Sequence, residues 1–155
     1  MEKAYVKLTT SNSIGIIEFF HPMKNSMPTE LLKKLKNSID KASKDEQIKI
    51  IILRSGGNRV FCAGASFQEL VTIKNTNEGF AFFAGFADVI NAMRQCSKLI
   101  IVRVQGKAVG GGVGIAAAAD YCMASKYADI KLSELKIGIG PFVIASLQIS
   151  LEQIL

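Results

Sequence analysis

The stretch LIIVRVQGKAVGGGVGIAAAADYCMA, residues 99–124, decides the fold class. It opens on Leu99–Val104, an apolar, largely β-branched run of strand length, and closes on a second short strand at Tyr121–Ala124. Between them Val109–Ala119 reads as a glycine-led helix. Working outward, Thr76 through Cys96 is the longest helical pattern, with Phe82, Phe83, Phe86, Val89, Ile90 and Met93 as its apolar stripe and therefore its core face. Ile48–Leu53 is a nearly continuous apolar strand, expected to be buried on both faces of a parallel sheet. Ahead of it, Pro28 suits the first turn of a helix whose Leu31, Leu32, Leu35, Ile39 and Ala42 recur at helical spacing. Tyr5–Thr9 and Ile14–Phe20 form a hairpin around Thr10–Ser13, and His21-Pro22 stops its second strand because proline has no N–H for the ladder. Downstream lies a last strand at Asp129–Leu132. This alternation makes the chain a single α/β domain without internal repeats or linkers.

Composition narrows the function classes. With 49% apolar and 21% charged residues in 155, the chain is an ordinary globular domain with enough material for a core. The net charge of +6 comes mostly from lysines spread along helix faces, such as Lys33, Lys34 and Lys36. Aromatic residues are not interleaved with them, so nucleic-acid binding is not expected, whereas a polyanionic small ligand suits the charge. The three cysteines show no C-x-x-C spacing, and one histidine, His21, cannot complete a zinc set. Free thiols in a reducing, cytoplasmic setting are expected. The longest apolar run, Ala108–Ala119, is too short and glycine-rich to span a bilayer, and the first residues lack the apolar stretch of a signal peptide, so no membrane partner is expected.

Two segments have the character of a site. Val60–Phe67 follows a strand and turn with small residues, which let a ligand approach the backbone or simply make a tight connection. Gln105–Gly114 carries three successive glycines at a helix start, a costly choice that suggests either N–H groups turned toward something negative or close helix–sheet packing. Gly112-x-Gly114-x-x-Ala117 also matches a dinucleotide fingerprint, but Gln105–Gly111 separates it from its strand and no acidic residue closes the next strand at Ala124. Glu134, at a strand end before a glycine-rich turn, is a candidate general acid/base, with a cap or surface role equally open. Asp120 reads as a structural hydrogen-bonding residue at a helix end.

Taken in order, these segments resemble the enoyl-CoA hydratase/isomerase (crotonase) family, and within it the enoyl-CoA and methylglutaconyl-CoA hydratase-like members. His21-Pro22-Met23-Lys24-Asn25-Ser26 is similar to the family's Pro-…-Asn-Ala segment, and Phe61-Cys62-Ala63-Gly64-Ala65-Ser66 to F-C-A-G-A-D, with Ser66 in place of aspartate. Gln105-Gly106 through Gly110-Gly111-Gly112, with Ala119-Asp120, resembles N-G-x-x-x-G-G-G…C-D, and Ser133-Glu134 through Gly138 resembles P-E-x-x-x-G.

The resemblance implies a spiral of ββα turns, of which this chain holds the N-terminal core, residues 1–144. It implies an oxyanion hole formed by the N–H groups of Ala65 and Gly111, with Glu134 as the acid/base. Lys24, Ala63, Gly64, Ala65, Ser66, Phe67, Gly110, Gly111 and Gly114 would line the substrate site. No separate cofactor is expected, since CoA is part of the acyl-CoA thioester. A homotrimer or hexamer is expected of a full-length form. The two-glutamate hydratases carry a glutamate where this chain has Gly114. Hydration is the preferred reaction, with double-bond isomerisation by Glu134 as single proton shuttle, or an inactive fragment, as alternatives.

The tail 145–155 departs from the family pattern. One coding string for Ala145–Gln148, GCGAGCCTGCAG, contains the family-like Glu-Pro-Ala in a shifted frame. The expectation is a frameshift with an early stop, which a DNA sequence lacking any family-like continuation beyond that stop would contradict. Apolar faces left uncovered by such a truncation would favour aggregation or inactivity.

Overall fold

The chain winds through two sheets in turn, and this winding sets the site. The computed structural model describes residues 3–132 and 138. Strands β1 (Tyr5–Ser11) and β2 (Ile14–Phe20) pair antiparallel from Tyr5↔Phe20 to Ser11↔Ile14. Their two-residue turn places Asn12 at φ 50° and Ser13 at φ 63°, the doubly left-handed geometry that matches the twist of a hairpin. Helix α1 (Thr29–Lys44) buries the five residues read from its spacing, Leu31, Leu32, Leu35, Ile39 and Ala42. Pro28 stands just outside it as the N-cap.

Three further turns repeat one pattern. β3 (Ile50–Ser55) leads into β4 (Val60–Cys62), then the short α2 (Phe67–Leu70) and α3 (Thr76–Arg94). β5 (Leu99–Val104) leads into β6 (Lys107–Val109) and α4 (Gly111–Ala117), and β7 (Tyr121–Ala124) leads into β8 (Ile130–Lys131). The first strand of each pair joins a five-stranded sheet in the order β1-β2-β3-β5-β7, and the second joins a three-stranded sheet, β4-β6-β8. All pairings after the hairpin are parallel. The first turn has a vestige of the second sheet, where Met27 bridges Ala65 in parallel. This is the expected ββα spiral.

The core lies between the large sheet and helices α1 and α3. Ile17, Phe19, Ile51, Leu53, Ile100, Val102 and Val104 point into it, and Val89 and Met93 of α3 meet them. The expectation of strands buried on both faces is corrected here. β3 and β5 alternate, so that Ile50, Ile52 and Ile101 on the other face stay partly exposed and Leu99 is 49% exposed. No helix among the described residues covers that face as α1 and α3 cover the first. Phe83, read as part of the α3 stripe, is 39% exposed for a related reason: its position falls at the edge of the buried arc. Asp120 fills its structural role, its Oδ2 accepting the Ile100 N–H at 2.7 Å while its own N–H donates to Ile100 O at 3.1 Å. No helix among the described residues is long and apolar enough to cross a membrane.

Candidate functional site

Each of the two small-residue segments contains a strand that periodicity alone did not reveal. Val60–Cys62 and Lys107–Val109 are three residues each, too short to show an alternation. They pair with each other, Val60↔Lys107 and Cys62↔Ala108, with an irregularity between. That pairing brings Ala63–Ser66 alongside Gly110–Gly112. A Cβ on Gly64, which sits at φ +88°, would lie 3.1 Å from Val109 O, and one on Gly112 would lie 2.6 Å from Cys62 Cβ.

Segment 63–66 is held on its other side by the loop that follows β2. Ala63 N–H donates to Asn25 O at 3.3 Å, Met27 N–H to Gly64 O at 2.9 Å, and Ser66 N–H to Met27 O at 3.3 Å. In a parallel bridge of this kind, Met27 bonds the residues flanking Ala65, so the N–H of Ala65 itself points away from Met27. It has no acceptor among the described residues, and neither has the N–H of Gly111 at the start of α4. Ser66 is 8% exposed and caps α2 by accepting the Glu69 N–H at 3.3 Å. Phe67, one residue on, is 67% exposed.

The loop that braces this segment is itself braced by Asn25, which is 3% exposed. Its Nδ2 donates to Gly56 O and Val60 O, each at 2.8 Å, while its Oδ1 accepts the His21 N–H at 2.9 Å. Lys24 and Asn25 both adopt φ 55°, which turns Lys24 outward to an exposed position. His21 Nδ1 lies 3.1 Å from Ser26 Oγ and accepts the Met23 N–H at 3.2 Å, and partial burial lowers the imidazole pKa below its ordinary value. Sequence reading missed Asn25 as a keystone, although a lone asparagine after a strand-ending His-Pro was a signal for a side-chain bridged turn.

The triple glycine has a conformational or packing cause at each position. Gly110 needs φ 55° with ψ −122°, a conformation open to glycine. A Cβ on Gly111 would lie 2.5 Å from the Phe86 ring, and Gly112 lies against Cys62. Close helix packing, one of the two readings left open above, therefore accounts for these glycines without any ligand. Gly114 is buried in α4. Glu134, its neighbours at 133–137 and the tail 145–155 lie outside the described residues.

Cys62, wedged between Gly64 and Gly112, is fully buried, and that burial pushes its thiol from 9.0 up to about 12. Because the folded value is above the unfolded one, the neutral thiol's contribution to stability is complete below about pH 9 and fades as pH rises toward 12. A thiol reagent at about pH 8 is therefore expected to label the half-buried Cys96 and Cys122 in the folded chain and Cys62 only on unfolding. Three thiols reacting at one rate in the native protein would contradict this burial.

Comparisons with known proteins agree with the fold. A crystal structure of a putative enoyl-CoA hydratase/isomerase (crotonase) from Legionella pneumophila superposes with a TM-score of 0.86 at 27% identity, covering 93% of this chain and 56% of that one. Rat mitochondrial methylglutaconyl-CoA hydratase is 34% identical over 118 residues, 76% of this chain and 37% of the relative. A probable enoyl-CoA hydratase of Bacillus subtilis is 26% identical over 136 residues, 88% of this chain and 52% of the relative. The family model described as enoyl-CoA hydratase/isomerase matches residues 9–150. The chain belongs to the enoyl-CoA hydratase/isomerase family. It spans about half the length or less of these curated relatives.

Proposed function

We propose that this chain carries the thioester-binding half of an enzyme that adds water across an α,β-unsaturated acyl-CoA. Such a reaction passes through an enolate whose charge gathers on the thioester oxygen. The observation that supports the reading is the pair of N–H groups without acceptors, Ala65 and Gly111, on two adjacent segments. Donors fixed in advance stabilise a developing oxyanion, each worth about 3 kcal/mol in comparable sites. Ala65 is aimed by its neighbours' bonds to Met27, and Gly111 by the start of α4, so neither depends on a side chain.

Ala63, Gly64, Ser66 and Phe67, with Gly110 and Gly114, would line the CoA and acyl path, and the exposed Lys24 would face the phosphates. CoA enters as part of the substrate, with no further cofactor. Glu134 would exchange the proton at the carbon next to the thioester. Assembly into trimers or hexamers belongs to this proposal for a longer form, as does a cytoplasmic setting, which suits three free cysteines.

A second reading rests on Gly114. This buried helix position offers no carboxylate to orient water, which favours a single-glutamate double-bond isomerase. Incubating the chain with a crotonyl-type CoA thioester, and separately with its β,γ-unsaturated isomer, distinguishes the two. Hydration gives a product heavier by one water from the first substrate. A shift of the double bond at constant mass, with no hydrated product, would replace the hydratase by the isomerase. No product from either would leave a binding fragment.

A further inference from the structure

A cavity of about 550 Å³ opens at the carboxyl ends of β3, β5 and β7, away from Ala65 and Gly111. Gly57, Asn58, Arg103, Gln105, Met123 and Ser125 line it. Arg103 stands on the outer face of the large sheet in the cross-strand row Glu18↔Arg54↔Arg103. Glu18 is engaged by other partners: its Oε1 accepts from Tyr5 OH at 2.8 Å and its Oε2 from Arg54 Nε at 2.7 Å. Arg54 and Arg103 thus stand side by side on adjacent strands, with the one carboxylate of the row on the far side of Arg54, an arrangement that disfavours the second cation.

That second cation is Arg103. It has no ion pair among the described residues, and its one hydrogen bond is a long one, Nη2 to Ser55 O at 3.5 Å. Its Nε is buried with no acceptor among the described residues. Gln105 shows the complementary deficit. Its Nε2 is fixed by Ser55 Oγ at 2.9 Å and by Gly57 O and Val60 O at 3.3 Å each, while Oε1 is buried with no donor among the described residues. Buried polar groups normally have partners, so two orphans of opposite sense on one cavity call for a group that accepts at Arg103 and donates at Gln105.

We infer that this cavity binds a small hydroxycarboxylate. Its carboxylate pairs with the Arg103 fork, and its hydroxyl donates to Gln105 Oε1. The volume falls within the roughly 300–1,000 Å³ of small-molecule sites. Both orphan atoms are buried, so docking requires the Arg103 and Gln105 side chains to turn toward the cavity.

Malate, succinate and inorganic phosphate at matched ionic strength are the probes, with the thermal midpoint and titration calorimetry of the chain as readouts. Malate is expected to give a saturable stabilisation and to bind several-fold more tightly than succinate, which lacks the hydroxyl. Arg103→Met is expected to fold at least as well as the parent and to weaken malate binding at least tenfold. Arg103→Lys, which keeps the charge without the fork, should also weaken it, and Gln105→Leu should bring malate and succinate level. Absence of a saturable malate effect, an equal effect from phosphate, or undiminished binding by Arg103→Met would overturn the site. Equal binding of malate and succinate by the parent chain would overturn the hydroxycarboxylate assignment.

Discussion

Gly106→Ala is expected to destabilise the chain by on the order of 3 kcal/mol, a large share of its stability if that lies at the low end of the usual range. A Cβ at this buried position would lie 2.1 Å from Arg59 O and 2.7 Å from Arg59 C. Both are backbone atoms, so no rotamer change relieves the overlap. Arg59 O also accepts the Lys107 N–H at 3.2 Å, next to the Val60↔Lys107 pair that begins the β4–β6 ladder. Pushing the carbonyl aside therefore opens the junction that brings the two site segments together. Gly57 is the natural comparison. It has open space around its Cβ position and only a left-handed φ of +78° against substitution, so Gly57→Ala should cost about 1–2 kcal/mol. Urea midpoints of the two variants check this order, and equal losses would contradict the steric account.

Glu134→Gln is expected to lower turnover of an enoyl-CoA thioester by about 10²–10⁴-fold with little change in stability. The amide keeps the size of the side chain and removes its capacity to take and return a proton. Gly114, at the other family position, supplies no second carboxylate to substitute. The loss should fall on kcat rather than KM, because the proposed oxyanion donors at Ala65 and Gly111 are main-chain groups unaffected by the change. Retained turnover would remove Glu134 from the mechanism while leaving the family assignment untouched.

The elements legible in the sequence were those with long apolar periods or abrupt composition changes. α1 shows its five buried residues at helical spacing, and β5 and β7 match their expected bounds, Leu99–Val104 and Tyr121–Ala124. The three-residue strands β4 and β6 were not legible, because their lengths are too short for a period and their identity comes from pairing with each other. The exposed second face of the large sheet escaped notice for a different reason. Isoleucine at every position of Ile50-Ile51-Ile52 hides an alternation that burial reveals. At the site, composition alone could not separate two causes of a glycine run. The contacts of Gly111 with Phe86 and of Gly112 with Cys62 supply the packing cause.

The bridge between Met27 and Ala65 has a bearing on how such a protein can change over generations. The direction of the Ala65 N–H is fixed by bonds that its neighbours make through peptide groups alone. Every amino acid but proline supplies the same donor, so point substitutions in Ala63–Phe67 can reshape what enters without erasing the group that meets it. Under the proposed function, descendants would be free to explore new acyl substrates while the oxyanion donor stays in place. What they cannot freely alter is the Asn25 brace, whose side chain spans Gly56, Val60 and His21 at once.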